Sequence, residues 1–377
     1  MLVSNVERYK EDIRNNSKDG FMAIESKIAE YVRKIDPEIV GLEEESKIET
    51  KKLGLGQSNL NYLVKVDGKQ FIFRINMDPN SPNKSKTEFD SLKIVEELGI
   101  APKAFHYESS KDYFGETFII LEYLEGESLE NKTLGDETAE ELARTVARLH
   151  NTSIGHIRKK LRKNRSTKKA MLCRIKHRID YINVKRKKYF LSEDWFNILL
   201  AKTFHGFNER KISIEPNYVL GHGDIAPQNV IMHDAKLVLI DWEDLGLIDA
   251  GIEIAIIFDS FDFSEEQKEK FLREYLNSRK DPTIRRRIRE FWPIQLFGVF
   301  CWAVMHVFEI GEEELHEKFI QEQDLQTHVD YAKKMFEKCR NEGIFSKKAR
   351  WKSSDVFPEK YLARSFRCQT KRLCHED

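Results

Sequence analysis

The stretch "GHGDIAPQNV", residues 221–230, is the most informative segment of this 377-residue sequence. His222 and Asp224 are separated by one residue, and Asn229 follows five residues after Asp224. Two glycines and a proline in the same segment favour an irregular loop over a helix, because both residue types disrupt regular backbone structure. The loop therefore presents a carboxylate and an amide in a set order.

A short hairpin is predicted over 230–241, directly after this loop. The β-rich runs "VIMH" and "LVLID" flank a two-residue turn at 234–235, and the second run ends at Asp241. The hairpin returns the chain, so Asp224, Asn229 and Asp241 are expected to converge at one end of it. Mg²⁺ prefers such oxygen ligands, and phosphoryl transfer needs a residue that orients the attacking hydroxyl and accepts its proton. The spacing therefore favours metal-assisted phosphoryl transfer.

The region upstream has features that suit a bound nucleotide. The run "NYLVKVDGKQFIFRI" (61–75) predicts a hairpin around Asp67-Gly68. Small residues just before it would let backbone N–H groups approach phosphate oxygens. These residues are Gly54, Gly56, Ser58 and Asn59. An ordinary turn before a strand is the alternative interpretation.

Arg74 lies inside the apolar run "FIFRI", where a charge is costly unless it is paired. Glu88 belongs to the helix predicted over 84–100 and is the candidate partner. The alternative is an arginine on an edge strand whose head group reaches water.

The remaining pattern divides the chain near residue 125. A buried strand is expected at 116–124 and an amphipathic helix at 137–150, with mostly helical patterns after it. The predicted fold class is α+β, with a small β-rich N-lobe and a larger, mainly helical C-lobe. We expect a charged helical extension at 1–47, a nucleotide-binding N-lobe at 48–124, and a C-lobe at 125–377 that carries the catalytic loop and the substrate helices.

Together these residues resemble the aminoglycoside phosphotransferase and choline kinase family, which shares the protein-kinase-like fold. "HGDIAPQNV" and "LIDWEDLGLIDAG" (239–251) are similar to the family's catalytic loop and Asp-Trp-Glu motif. "EELARTVARLH" is similar to its helix ahead of the substrate region. The resemblance covers residues 48–256, and Ala250 departs from it, because many members have proline there.

The resemblance implies a role for each matching residue. Asp224 would be the catalytic base, with Asn229 and Asp241 as the Mg²⁺ ligands. Arg74, paired with Glu88, would contact the phosphates of ATP. Glu122 and Leu124 would form the hinge that hydrogen-bonds adenine. His222 would be structural, and Asp249 would stiffen the loop after the second motif. Apart from the resemblance, Glu243 is a tentative acceptor contact, expected if the acceptor is neutral or cationic.

Charge is balanced over the whole chain but not along it. Lys and Arg total 63, as do Asp and Glu, yet residues 157–188 hold 15 Lys or Arg and one acid, Asp180, a local sum of 15 − 1 = +14. Met171, Ile175, Ile179 and Ile182 predict one apolar stripe on a helix there. Such a segment favours an anionic acceptor, and RNA stays open as a partner. The alternative is a solvated helix face.

Targeting and redox signals are sparse. The N-terminal residues lack the apolar core of a signal peptide, and the apolar run 291–308 is expected to be a buried helix, so membrane contact is not expected. Five cysteines without a CxxC motif suit a reducing compartment, which predicts a cytoplasmic location. A metal site at Cys368, Cys374 and His375 would lack a fourth nearby ligand. The sequence carries no signal for the oligomeric state.

Three hypotheses follow for the function. The first is a small-molecule kinase that uses ATP and Mg²⁺ to phosphorylate a hydroxyl. The second is a kinase for RNA or protein docked by the basic segment 157–188, whose binding would fall steeply with salt. The third is a silent nucleotide-binding module, against which the complete set of Asp224, Asn229 and Asp241 argues.

Overall fold

The structure is a computed structural model, and it divides the chain into two compact units. It describes residues 18–55, 59–77, 83–155, 161, 167–189, 191, 194–211, 215, 217–234, 236–315 and 325–353. Unit 1 comprises Met1–Arg162, Val219–Gly246 and Phe263–Lys280. Unit 2 comprises Lys163–Tyr218, Leu247–Asp262 and Asp281–Asp377.

Unit 1 contains a five-stranded antiparallel sheet. Its strands are β1 (Ile48–Leu55), β2 (Asn59–Val66), β3 (Lys69–Asn76), β4 (Ala104–Glu108) and β5 (Phe118–Glu122), in the order β1-β2-β3-β5-β4. Alternate residues of β2 are buried, as expected for a strand with one face on a core. Asp67 and Gly68 both have positive φ, which suits the tight turn of the predicted β2–β3 hairpin.

The helix α1 (Lys18–Val32) and the short helix α2 (Pro37–Val40) pack into the core of this sheet. Ile24, Ile28 and Tyr31 of α1 belong to one hydrophobic cluster with residues of β2, β3 and β5. The Tyr31 ring meets Phe118 edge-on, with 4.8 Å between the ring centroids. Residues 18–40 therefore add apolar contacts to the sheet.

Unit 1 also contains further helices and a small sheet that adjoins the loop 221–230. Helix α3 (Lys84–Val95) continues as a 3₁₀ turn to Leu98, and helix α4 (Asp136–His150) packs against α8 (Glu265–Ser278). A small sheet has the order β6-β8-β9, formed by Glu127–Ser128, Val230–His233 and Lys236–Leu239. The predicted 230–241 hairpin is present as β8 and β9. The chain passes from one unit to the other within strand β7 (Tyr218–Gly221) and again within strand β10 (Gly246–Asp249).

Unit 2 is helical, with α5 (Lys168–Lys188), α6 (Asp194–Glu209), α7 (Ala250–Ser260), α9 (Ile284–Leu315) and α10 (Leu325–Asn341). Helix α9 packs against α5, α7 and α10. Its segment Ile284–Gly311 is long and apolar enough to cross a membrane, but 67% of its most apolar window is buried inside the protein. The buried helix expected at 291–308 is thus present.

The predicted apolar stripe of α5 is buried, and Met171, Ile175, Ile179 and Ile182 are all among the core residues. Several of its cations have structural partners. Lys168 donates to the Asn208 carbonyl, and Arg178 donates to the Gly298 carbonyl at 2.9 Å. Arg186 is buried and donates to Asn197. Lys169 and Lys187 are exposed. Part of the +14 charge therefore maintains the packing of unit 2.

The structure confirms the α+β class, with an antiparallel sheet followed by a mainly helical remainder. The boundaries drawn from the sequence at 47 and 124 stay predictions. The possible metal site considered from the sequence lies outside the described residues; it comprises Cys368, Cys374 and His375.

Candidate active site

His222 anchors the loop 221–230 from within. It is fully buried, its Nε2 lies 3.0 Å from the Ile240 carbonyl oxygen, and the Asp224 N–H points to its Nδ1 at 3.3 Å. These contacts are those of a neutral ring that donates from Nε2 and accepts at Nδ1. Its ring also packs on Trp242, with 4.6 Å between the centroids. The side chain thus supports the loop and does not face solvent.

Asp224 and Asn229 are directly joined. The Asn229 side-chain amide donates to Asp224 Oδ2 and to the Asp224 carbonyl oxygen, each at 3.0 Å. Asn229 is buried and Asp224 is exposed. The amide nitrogen is used in this way, so the side-chain oxygen is the atom of Asn229 that suits a cation.

Asp241 follows strand β9 in a tight turn. The Ile240 N–H donates to the Asn229 carbonyl at 2.9 Å, so Asp241 begins beside the catalytic loop. Its φ is +67°, in the left-handed region, and a 3₁₀ turn of Trp242–Asp244 follows. Asp241 Oδ1 is buried and has no hydrogen-bond donor among the described residues. A buried carboxylate oxygen in that state is the kind of ligand that a hard cation takes.

Arg74 lies on β3, between β2 and β5, so the edge-strand alternative is wrong. Its Nη1 pairs with Glu88 Oε1, and its Nε donates to Asn61 Oδ1 at 2.9 Å. Burial by itself lowers the pKa of the guanidinium, but Glu88 and Asp241 outweigh that effect and raise it. Burial raises the pKa of the Glu88 carboxyl, and Arg74 counteracts this.

Arg74 also approaches the metal turn, which is the stretch 241–244 that carries the predicted cation ligand Asp241. Its Nη1 lies 3.7 Å from Asp241 Oδ1, within ion-pair range and beyond hydrogen-bond distance. One guanidinium therefore lies between the helix carboxylate Glu88 and the carboxylate of Asp241, where phosphate oxygens and a cation would be held together.

Lys84 is a residue of this region that the sequence reasoning missed. Its Nζ lies 2.6 Å from Glu243 Oε2, and only 11% of the lysine side chain and 27% of the glutamate side chain are exposed. Sequence offered no signal for it, because a lysine at a helix start is common and its partner is 159 positions away. Glu243 was predicted as a tentative acceptor contact, and in the structure it is held by Lys84.

The predicted phosphate loop is only partly described. Gly54 lies in β1 and Asn59 opens β2, where it pairs with Asn76 in register, while Gly56 and Ser58 lie outside the described residues. On the adenine side, the Glu122 N–H donates to the Lys103 carbonyl at 2.9 Å, and Leu124 is buried. Their roles as phosphate and hinge contacts stay predictions.

Gly126, just after the predicted hinge, contacts β8 closely. Its φ is +154°, and a Cβ built there would lie 2.1 Å from the Met232 carbonyl oxygen. Only glycine allows that approach. It brings the segment after β5 against the hairpin that follows the catalytic loop.

Asp249 has a structural role within unit 2. It caps helix α7 through the Gly251 N–H at 2.9 Å, and its Oδ2 accepts from the Asn217 N–H and from Arg287 Nη1 at 2.7 Å. Both side chains of the Asp249–Arg287 ion pair are buried. The predicted loop-stiffening carboxylate is thus fully engaged in hydrogen bonds, while Ala250 opens α7 where many family members have proline.

A family model matches this arrangement of residues. The model for the phosphotransferase enzyme family, APH, covers residues 49–291, which is more than half of the chain. The chain belongs to the phosphotransferase enzyme family. The match includes β1, the ion pair of Arg74 and Glu88, the catalytic loop and the Asp241 turn, and it confirms the resemblance drawn from the motifs.

Individual relatives of this chain are more distant. Protein LicA of Haemophilus influenzae is 30% identical over 96 residues, which is 25% of this chain and 34% of that protein. The chain thus spans about a third of the length of that curated relative.

Solved structures share the fold over most of the chain. A choline kinase from Cryptosporidium parvum superposes with a TM-score of 0.59 at 18% identity, covering 84% of this chain and 97% of that one. A ternary complex of APH(2″)-IIa with streptomycin and ATP gives 0.56 at 16% identity, covering 82% and 97%. At these identities the likeness shows the fold alone, and it confirms the kinase-like fold class.

Proposed function

We propose that this protein is an ATP-dependent phosphotransferase that moves the γ-phosphate of ATP to a hydroxyl of a small molecule. The observation that carries the proposal is the joined pair of Asp224 and Asn229, with Asp241 brought beside them through Ile240. Family membership supports the same reaction, and one structural neighbour was solved with ATP.

Asp224 acts as the base in this proposal. The acceptor hydroxyl donates its proton to the Asp224 carboxylate while its oxygen attacks the γ-phosphorus, and ADP leaves. Asn229 holds that carboxylate through its amide, which fixes the direction from which the hydroxyl approaches. The exposure of Asp224 leaves it open to an incoming acceptor.

Asn229 and Asp241 would hold Mg²⁺, since both supply oxygen and Asp241 Oδ1 accepts no hydrogen bond from any described residue. When bound, Mg²⁺ would neutralise phosphate charge as it develops. Arg74, kept in place by Glu88 and Asn61, would contribute a fixed positive charge toward the α- and β-phosphates of ATP.

The acceptor is proposed as a small molecule, in keeping with neighbours whose names include a choline kinase and a complex with streptomycin. Choline and streptomycin are both cationic, whereas segment 157–188 of this chain is strongly basic. That charge supports an anionic acceptor here. RNA and protein acceptors are the alternative, and a steep loss of acceptor affinity with salt would favour them.

The test replaces Asp224 with alanine. ATP affinity should stay close to that of the wild type, while kcat should fall by about 10²–10⁴, the usual contribution of a positioned base. ADP release with a panel of nucleosides, sugars, amino alcohols and total RNA gives kcat, and calorimetry gives ATP affinity. The matched control is Asp90→Ala, which removes an exposed carboxylate of α3 that pairs with Lys86. Turnover near the wild-type value in Asp224→Ala would remove Asp224 from the role of base.

A further inference from the structure

The ion pair between Lys84 and Glu243 lies at the metal turn. Lys84 has no role in the phosphoryl-transfer reaction proposed above. We propose that Lys84 is a positioning residue for Mg²⁺-dependent nucleotide binding. By holding Glu243, it attaches the turn that carries Asp241 to helix α3. The proposal rests on the proposed function in one respect, because it takes Asp241 to be a cation ligand.

The geometry of the turn has a modest cost of its own. Asp241 has φ +67° and ψ +62°, a left-handed conformation that is uncommon for residues with a Cβ, although aspartate adopts it more readily than most. Its buried Oδ1 accepts no hydrogen bond within the described residues. The nearby Arg74 Nη1, at 3.7 Å, is too far for one. The position of Oδ1 therefore depends on how the backbone of the turn is held, by Ile240 before it and by the residues after it.

Two neighbouring side chains fix the turn from opposite sides. Trp242 is fully buried and donates from Nε1 to the Leu239 carbonyl at 2.7 Å, which holds the turn to its own hairpin. Glu243 reaches out to Lys84 at 2.6 Å, which holds the turn to α3. Glu243 thus adds an attachment to α3 beyond the hydrogen bond that holds the turn to its hairpin.

Helix α3 is a firm support at this end. Ser85, next to Lys84, is buried and donates to the Thr117 carbonyl at 3.3 Å, just before β5. One turn later Glu88 pairs with Arg74. Helix α3 also packs against the 3₁₀ turn Trp242–Asp244. The first turn of α3 therefore contacts both Arg74, through Glu88, and the metal turn, through Lys84.

The shielding of the Lys84–Glu243 pair favours this role over a plain surface salt bridge. Exposed pairs such as Lys86–Asp90, with side chains 54% and 57% exposed, contribute little, because water screens them. Lys84 is far less exposed and directly paired, so its charge is matched by Glu243. A lysine so matched suits positioning better than direct phosphate binding.

The experiment measures binding and so does not depend on turnover. Lys84→Met, Glu243→Gln and the exchange double variant Lys84→Glu/Glu243→Lys are titrated with Mg²⁺ in the presence of ATP, by calorimetry. Each single variant should need about 10- to 100-fold more Mg²⁺ for half-maximal ATP binding, the usual effect of removing a residue that orients a metal ligand. ATP binding with excess EDTA should not change. The exchange variant should recover part of the loss.

Lys86→Met is the matched control, since it removes a neighbouring lysine whose pair faces water, and its Mg²⁺ requirement should equal that of the wild type. Unchanged Mg²⁺ requirements in both single variants would overturn the proposal. So would weaker ATP binding in EDTA for Lys84→Met alone, which would make Lys84 a phosphate contact. If Glu243→Gln fails to fold by circular dichroism, Lys84→Met and the exchange variant decide. If the wild-type protein binds Mg²⁺ and ATP but transfers no phosphate to any acceptor, the proposed function is refuted. The binding measurements would still decide whether Lys84 positions the metal turn.

Discussion

The buried ion pair of Asp249 and Arg287 allows a quantitative prediction for unit 2. In Asp249→Ala, the Arg287 guanidinium keeps its charge, with 5% of its side chain exposed, and loses its ion-pair partner, while the weaker electrostatic interaction with Asp281 remains. Removing one partner of such a pair costs about 3–5 kcal/mol, because the other charge stays buried and uncompensated. Loss of the α7 cap, about 1 kcal/mol by itself, is part of the same change.

The assay is urea unfolding monitored by tryptophan fluorescence, to which Trp292 and Trp302 of α9 in unit 2 contribute. Asp249→Ala and Arg287→Met should each lower the free energy of unfolding by about 3–5 kcal/mol. The double variant should lose less than the sum, since neither charge is then left alone. The control is Asp180→Ala, which removes the exposed Lys176–Asp180 pair and should cost no more than about 0.5 kcal/mol. A loss in Asp249→Ala as small as in the control, or strict additivity in the double variant, would refute the reasoning.

Three further predictions concern the site and the basic helix. Asp241→Asn should raise the Mg²⁺ concentration needed for activity, because it removes an anionic cation ligand, and an unchanged Mg²⁺ titration would contradict that role. Gly223→Ala should destabilise the protein by at least about 1–2 kcal/mol in thermal unfolding, since its φ is +87° and a Cβ would lie 2.9 Å from the Asp244 carbonyl oxygen. Wild-type stability would show that the loop relaxes. Replacing the exposed Lys169 and Lys187 with glutamine should weaken binding of an anionic acceptor and flatten its salt dependence without changing the KM for ATP. Unchanged acceptor binding would make this a solvated face.

Local patterns predicted much of the fold. Alternating apolar residues around Asp67-Gly68 and around the turn at 234–235 gave both hairpins, because strand pairing across a short turn depends on neighbouring residues. The helix predicted over 137–150 is observed as Asp136–His150. The helix expected to reach residue 100 ends earlier, with a 3₁₀ turn and then Gly99 in the left-handed conformation.

The catalytic loop could also be predicted from the sequence, because its key hydrogen bond joins two residues that are close along the chain. Asp224 and Asn229 are five residues apart, and the hydrogen bond between them needs only the loop itself. The candidate partnership of Arg74 and Glu88 was inferred for a different reason: a charge in an apolar run requires a counter-charge. The structure shows that pair, while the catalytic roles stay predictions.

The tertiary structure decided the contacts that join distant segments. Lys84 contacts Glu243, which is 159 positions further along the chain, and Arg287 of α9 pairs with Asp249 at the start of α7. Charged residues are common at all these positions, so no local pattern singles out which of them will pair. Sequence alone therefore determined which residues have the chemistry for phosphoryl transfer. Only the packing of α3 on the metal turn decided which lysine holds that turn, because an ion pair depends on distance in space and not on distance along the chain.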